Sequence, residues 1–282
     1  MAKQQRISFD EFYTLQWGDR WQTLKSALQQ PARHFSLQNT LMQTYYLDPA
    51  SVWAAELLPL PGESGSPLMC QDSPLQILDM CAAPGGKSLV LLQRLIAAWQ
   101  PFHLTANDRS SQRRRRLHNV LDTHLPDDIP GKVTVTGHDA CRWGLHEKDR
   151  YDLIIADVPC SSEAHVIQSP AHLQQWSAAR AKRLAQQAYT ILLAALDAVA
   201  PNGIILYSTC SVNSSENDGV VKRVLKRRAE QCSSIDLQQR RDSVPHWLDT
   251  AEQTEYGYQI LPDTSTGAGP LYAALLRKTH GG

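Results

Sequence analysis

The stretch Leu75-Gln76-Ile77-Leu78-Asp79-Met80-Cys81-Ala82-Ala83-Pro84-Gly85-Gly86-Lys87-Ser88 decides the fold. A short apolar run ends at an acid, passes through small residues and two glycines, and enters a segment, 87–99, whose apolar residues recur at helical spacing. Strand, tight turn and helix in that order open a parallel sheet with covering helices. Small side chains let a ligand approach the backbone, and a helix start offers free N–H groups to a carboxylate. Neither G-x-G-x-x-G nor G-x-x-x-x-G-K-[ST] occurs here, so the loop is neither a dinucleotide fingerprint nor a phosphate loop. Taken alone, it reads equally as a ligand loop and as an ordinary turn with Lys87 as a surface charge.

Towards the C-terminus the same alternation repeats. Strands are predicted over 102–107, 133–136, 153–157, 204–208 and 271–276, with a further one near 256–261, and helices over 111–121, 173–199 and 217–228. The expected fold is α/β: an open, doubly wound, mostly parallel sheet with an antiparallel C-terminal strand. In such sheets ligands sit beyond the carboxyl ends of the strands. Acids recur there: Asp79 after the first strand, Asp108 after the second, Asp139 after the third. Asp108 follows the glycines by about 20 residues, where an acid accepts hydrogen bonds from a ribose diol. Asp139 lies where an adenine amino group can donate. Singly, each acid is more often a turn or cap residue; recurrence at three successive strand ends favours an adenosine-type ligand.

Towards the N-terminus, Phe9, Phe12, Leu15, Trp17, Trp21, Leu24 and Leu28 recur at three- and four-residue spacings, and the chain reads as helical to about Leu58. Pro59, Pro61, Gly62, Gly65, Pro67 and Pro74 then break periodic structure. The expected division is a small helical extension, 1–70, and a catalytic domain, 71–282. The aromatic residues of the extension, Trp53 among them, read as core.

Composition sets outer bounds. In 282 residues no apolar run approaches the roughly 20 needed to cross a bilayer. The acidic, aromatic N-terminus does not resemble a transit peptide, so a soluble cytoplasmic protein is expected. Six cysteines, at 70, 81, 141, 160, 210 and 232, lack the close pairing of a disulfide framework or zinc site, so reduced thiols and no metal are expected. With 28 basic and 28 acidic residues, nucleic acid must be held by local patches. Arg113 to Arg116 fan around a helix, whereas Arg223, Lys226 and Arg227, flanked by Lys222 and Arg228, share one helical face and are the better candidate.

Two predicted strands end in cysteine loops, Asp157-Val158-Pro159-Cys160-Ser161-Ser162 and Ser208-Thr209-Cys210-Ser211. Adjacent parallel strands lie about 4.8 Å apart, so both thiols can face one cleft. Cys70, Cys81, Cys141 and Cys232 read as small buried hydrophobes; Cys160 and Cys210 read as chemistry. Spacing leaves open which of the two attacks. Trp176 and His165 follow the first loop, but a Trp at a helix start is more often core.

The runs Asp79 to Lys87, Asp157 to Ser161 and Tyr207 to Ser211, with Glu216-Asn217 after them, resemble the Sun/NSUN (RsmB-like) family of RNA cytosine-5 methyltransferases, in family order over roughly 75–278. Phe9-Asp10-Glu11-Phe12-Tyr13, Trp17-Gly18, Trp21 and Gly269-Pro270-Leu271-Tyr272 are similar to its short mitochondrial ribosomal branch. The resemblance implies a Rossmann-like class I methyltransferase fold and S-adenosyl-L-methionine as cofactor. It assigns the loop of Cys81, Ala82, Ala83, Pro84, Gly85, Gly86 and Lys87 to the methionine end, Asp108 to the ribose, Asp139 to the adenine side, Asp157 nearby and Arg113 to the same site. Cys210 would add to carbon 6 of cytosine, making carbon 5 nucleophilic, and Cys160 would assist product release. Asp157, its carboxyl raised by burial, would hydrogen-bond N3. The implied partner is RNA, with ribosomal RNA favoured over transfer RNA, and a protein partner for targeting is a further expectation. Two alternatives stand beside it: methylation of transfer RNA, and a binding-only ribosome-assembly factor, which would need neither thiol.

Overall fold

The structure, a computed structural model, describes residues 7–68, 73–129, 132–240 and 250–279. The expected boundary at residue 70 and the thiol of Cys70 lie outside the described residues. Helix α1 (Phe9–Trp17) starts at a capping box in which Ser8 and Glu11 satisfy each other's backbone N–H groups, and α2 (Arg20–Leu28) follows after Gly18. The helical reading to Leu58 fails in its middle. Strands β1 (Phe35–Leu37) and β2 (Tyr45–Leu47) pair antiparallel in an aromatic-rich run beyond Pro31, and each buries only its last residue, Leu37 and Leu47. Asp48 then accepts from Ala50 N at 2.7 Å, and with Pro49 in the first turn starts α3 (Pro49–Glu56).

The remaining elements alternate as expected. In chain order they are β3 (Leu75–Asp79), α4 (Gly86–Ala97), β4 (Phe102–Asn107), α5 (Ser111–His124), β5 (Val133–Thr136), a 3-10 turn at Ala140–Leu145, and β6 (Tyr151–Asp157). After them come α6 (Glu163–Ile167), α7 (Pro170–Gln175), α8 (Ala178–Ala198), β7 (Val199–Thr209), α9 (Asp218–Arg227), β8 (Cys232–Ile235), β9 (Glu252–Gln253), β10 (Tyr258–Ile260) and β11 (Leu271–Lys278). The helix predicted over 173–199 is two. Trp176 is extended, and Ser177 caps α8 by accepting from Arg180 N at 3.3 Å.

Among the described residues the sheet order is β5-β4-β3-β6-β7-β11-β10-β9. The strands from β5 to β7 are parallel; β11 runs antiparallel to β7 and shares its other edge between β10 and β8. The chain winds outward from β3 to β5, then crosses back to β6. The switch point, where a crevice opens above the carboxyl ends, therefore lies between β3 and β6.

The central strands are apolar on both faces, as a sheet covered by helices on both sides requires. Ile77, Leu153, Ile155 and Leu206 face α3, α4 and α5, whereas Leu78, Ile154, Ile205 and Tyr207 face α8 and α9. A third cluster joins Phe9, Tyr13, Trp21, Leu24 and Leu28 of the first two helices to Val212 and Leu261, so α1 and α2 pack against the loop that follows β7.

Candidate active site

The carboxyl ends of β3, β6 and β7 lie side by side, with Asp157 paired in register to Ser208. Asp79 ends β3, wholly buried. Ser88 donates to its Oδ2 at 2.7 Å, while Oδ1 has no hydrogen-bond partner among the described residues. Burial pushes its carboxyl up to about 7. Gly85 caps α4 with φ +123°, and a Cβ there would meet Val120 Cγ1 at 3.1 Å and Leu117 Cδ1 at 3.2 Å, so both conformation and α5 require glycine. With no capping side chain, the first N–H groups of α4 face the cleft.

Two cavities open at this edge. The first, about 410 Å³, is lined by Cys81, Pro84, Gly86 and Lys87 of the loop, by Asp157 and Cys210, and by Tyr45, Asp48 and Ser51, of which Tyr45 and Ser51 lie against Gly86 and Lys87. The second, about 420 Å³, lies over β4 and β5, lined by Met80, Asp108, Arg113, Asp139 and Ile191. Cys81 lines both, so they adjoin. Asp108 accepts from Ser110 N at 2.9 Å and pairs with Arg113 Nε at 3.1 Å, and Arg113 Nη2 donates to Ala83 O at 2.5 Å, tying the first strand-end loop to the second. Asp139 caps the 3-10 turn through Cys141 N at 3.1 Å and lies 3.6 Å from Arg109 Nη1. Both acids are turn residues and cavity walls at once.

Asp157 is less buried than expected. Its side chain is one-third exposed (33%), Lys87 Nζ stands 2.8 Å from Oδ2, and Ser208 Oγ donates to Oδ1 at 2.8 Å. Lys87, read alternatively as a surface charge, is only 11% exposed; burial lowers its ammonium, but Asp157 outweighs that and raises it overall.

The two thiols converge. Cys160 Sγ lies 3.0 Å from Cys210 Sγ, and Ser162 Oγ lies 3.1 Å from Cys210 Sγ and 3.5 Å from Cys160 Sγ. Ser162 adopts the left-handed region, φ +51°, which aims its hydroxyl inward. Hydrogen bonds from Cys160 and then Ser162 hold the Cys210 thiol below its ordinary value against the opposing effect of burial. The bond to Cys210, with burial, pushes Cys160 well above. Of the two thiols, Cys210 is thus the one whose ionised form its surroundings favour. Burial raises Cys81 well above its usual value and Cys232 to about 12, as befits inert thiols.

Two buried carboxylates in the cysteine loops were not assigned a role from the sequence. Glu163 follows Cys160 by three positions and accepts from Ser211 Oγ at 2.9 Å, Val212 N at 3.0 Å and Tyr13 OH at 2.5 Å. Glu216 accepts from Ser161 N at 2.8 Å and Asn213 Nδ2 at 2.9 Å, and burial raises it to about 7. A charged residue in the otherwise small and polar run after Pro159 was a visible signal for Glu163; nothing local pointed to Tyr13.

The expected RNA patch is placed elsewhere. Lys222 pairs with Glu255 at 3.0 Å, Arg223 stacks 4.0 Å over the Tyr189 ring, and Arg228 Nη2 meets Asp197 Oδ1 at 3.3 Å. Asp197 adjoins the chain entering β6, at the opposite sheet edge from Cys210, so the C-terminal half of α9 points away from the thiols. Arg114 is turned back onto the carbonyls of Asp108 and Arg109 at 2.7 and 2.9 Å. Trp176 packs against Phe9 and Phe12 at 5.2 and 5.3 Å between ring centroids, as core, while His165 lines the first cavity.

Residues 68–277 match the sequence profile of the family described as 16S rRNA methyltransferase RsmB/F. The chain is 34% identical over 251 residues to "5-cytosine rRNA methyltransferase NSUN4" of Bos taurus, covering 86% of this chain and 61% of that one. It is 30% identical over 210 residues to "tRNA (cytosine(34)-C(5))-methyltransferase, mitochondrial" of Danio rerio, covering 72% and 55%. The chain thus spans roughly three fifths of the length of the curated relatives it matches. A solved "Methyltransferase Homolog Protein from Pyrococcus Horikoshii" superposes with a TM-score of 0.67 over 93% of this chain and 92% of that one at 18% identity, a likeness of fold.

Proposed function

Because the chain belongs to the 16S rRNA methyltransferase RsmB/F family, we propose that it transfers a methyl group from S-adenosyl-L-methionine to carbon 5 of a cytosine in RNA, with Cys210 as the attacking nucleophile. The observation that carries this reading is the thiol pair: Cys210 lines the cleft that Asp157 and Lys87 also line, and Cys160 stands 3.0 Å from it in a neighbouring pocket that shares Ser162 and His165 with that cleft. The residues present suit the cofactor. The orphaned Asp79 Oδ1 and the open N-terminus of α4 offer an acceptor and donors for an amino-acid end, and Asp108 and Asp139 beside Met80 and Ile191 suit a nucleoside. When bound, S-adenosylmethionine supplies a methyl group on a sulfonium, which a carbon nucleophile can take.

The chain's own residues do the rest. Cys210 thiolate adds to carbon 6, the C5–C6 bond gives its electron pair to the ring, and negative charge grows at N3 and O2. Lys87 supplies positive charge beside it, held by Asp157, whose carboxylate is also an acceptor for the exocyclic amine. Once carbon 5 carries the methyl group, its hydrogen must leave as a proton. Cys160 is placed to take it, directly or through water, and Cys210 departs as the thiolate. The target base must leave its stack to reach this cleft.

Ribosomal RNA is the favoured substrate, supported by the family description and by the name of the bovine relative. Through Tyr45, Asp48 and Ser51, which line the first cavity, residues before about 70 form part of the wall of the RNA cleft in this proposal. Free Cys81, Cys141, Cys160, Cys210 and Cys232 suit a reducing cytoplasm. A protein partner that helps target the RNA completes the proposal, since many surface cations near α5 and α9 are engaged internally. Bisulfite sequencing of total RNA from cells lacking the gene, beside their parent, tests it. Loss of a cytosine signal in ribosomal RNA is expected; loss confined to transfer RNA would move the substrate, and no loss in any RNA would refute the reading.

A further inference from the structure

The two cysteine loops are laced together reciprocally. Glu163, on the Cys160 loop, accepts from Ser211 and Val212 immediately after Cys210 at 2.9 and 3.0 Å. Glu216, on the Cys210 loop, accepts from Ser161 immediately after Cys160, at 2.8 Å from its N–H and 2.5 Å from its hydroxyl. Both carboxyls are fully buried. Glu163 has a third donor from far along the chain, the Tyr13 hydroxyl of α1 at 2.5 Å, itself fully buried.

All three donors to Glu163 are neutral. A buried carboxylate served only by neutral donors is costly, and an apolar side chain of similar volume would often stabilise the fold better. Stability therefore does not account for an acid here. Its consequence is geometric: the bonds fix the residues next to each thiol, and with them the 3.0 Å approach that lets Cys160 donate to Cys210. We infer that Glu163, braced by Tyr13, is a positioning residue for the Cys210 nucleophile, so that the first helix completes the active site although it touches neither thiol. The inference rests on the reading of Cys210 as nucleophile.

Tyr13→Phe removes one donor while keeping the ring that stacks on Trp21 at 4.9 Å and meets Phe9 at 4.7 Å, so the helix stays docked. Trp17→Phe is the control. It removes another bond from α1 to the same loop, Trp17 Nε1 to Val212 O at 3.1 Å, without touching a carboxylate. Two readouts are needed: steady-state methylation, and site-resolved alkylation of the ligand-free protein by iodoacetamide, followed by mass spectrometry. In the parent protein Cys210, the more exposed of the two thiols, is expected to alkylate ahead of Cys160. Tyr13→Phe is expected to lower kcat about tenfold, the loss of one hydrogen bond to a charged acceptor, with KM for both substrates within about twofold. It should also shrink the lead of Cys210 over Cys160. Glu163→Gln, whose turned amide can donate to Tyr13 and Ser211 and accept from Val212, should keep most of that lead, and Glu163→Ala should lose it. The inference is overturned if Tyr13→Phe keeps the parent kcat and alkylation ratio, or if Trp17→Phe changes both equally. Should the parent methylate no RNA, the substrate reading falls while the alkylation ratios still decide the positioning role.

Discussion

Replacing Lys87 by Met tests whether the charge beside Asp157 works in the transition state or only holds the loop. The pair stands 2.8 Å apart with Lys87 11% and Asp157 33% exposed. Coulomb's law at that separation gives about 6 kcal/mol at an effective dielectric of roughly 20 and about 1.5 kcal/mol in bulk water. The exposed third of Asp157 draws the value towards the lower figure. A charged hydrogen bond contributes about 1.5–3 kcal/mol net. Met keeps the apolar stem that packs in the loop. If the ammonium stabilises charge at N3 and O2, Lys87→Met should slow single-turnover methylation by roughly 10- to 150-fold. The cofactor dissociation constant, measured by calorimetry, should move far less, because Asp79, Asp108 and the backbone N–H groups at the start of α4 are untouched. A turnover within threefold of the parent would refute the reasoning, as would a loss that lies wholly in cofactor binding.

Other expectations follow from the same geometry. Cys210→Ala should abolish methyl transfer, while Cys160→Ala should accumulate a protein–RNA adduct that survives denaturing electrophoresis; free release of methylated RNA by Cys160→Ala would contradict the assignment of Cys160. Asp79 has a folded-state value of about 7 against an ordinary 3.8, so it contributes stability that is full below 3.8 and is lost as pH rises through about 7. In calorimetric melts of ligand-free protein, Asp79→Asn should gain on the parent across that window, and a constant difference would sink the claim. Leu206→Ala, fully buried at the sheet centre, should cost about 2–5 kcal/mol in denaturant unfolding with no change in slope. Ser8→Ala should cost about 1 kcal/mol by removing the cap of α1, readable in the same assay.

The strands β3, β4 and β5 are where the sequence puts them because each is an apolar run closed by turn residues and buried against helices. β6 and β7 run longer than predicted. Pro201-Asn202-Gly203 reads as a turn, yet Tyr151 still pairs with Val199 across an irregularity in register. The β1–β2 hairpin escaped because its strands have three residues each and only Leu37 and Leu47 are buried, too short for period-two alternation to stand out. The loop Cys81–Lys87 and the three strand-end acids were legible, since chemistry collects at the carboxyl edge of such sheets. The Lys87–Asp157 pair was not, because two residues 70 positions apart must first be brought together by the sheet. Tyr13 and Glu163, 150 positions apart, are the extreme case. No local pattern in a helix start announces that one tyrosine hydroxyl will meet a carboxyl under a distant thiol.

The close thiols also impose an order of events. While Cys210 is a free thiolate it accepts from Cys160, which keeps Cys160 protonated and unable to act as base. Addition of Cys210 to carbon 6 turns its sulfur into a neutral thioether. The hydrogen bond and the adjacent negative charge of Cys210 that raised Cys160 are then gone, and burial and the charge of Glu163 still oppose its ionisation. Cys160 thus becomes a competent proton acceptor at the stage when a proton on carbon 5 has to be removed, and not before. A single cysteine would need a separate base whose strength was fixed throughout. In the proposed pair, attachment of Cys210 lets Cys160 give its proton to solvent; the Cys160 thiolate then takes the proton from carbon 5, and departure of Cys210 as a thiolate restores the acceptor for the reprotonated Cys160. On the proposed mechanism the 3.0 Å separation serves this order of events, and the carboxylates that lace the two loops hold it.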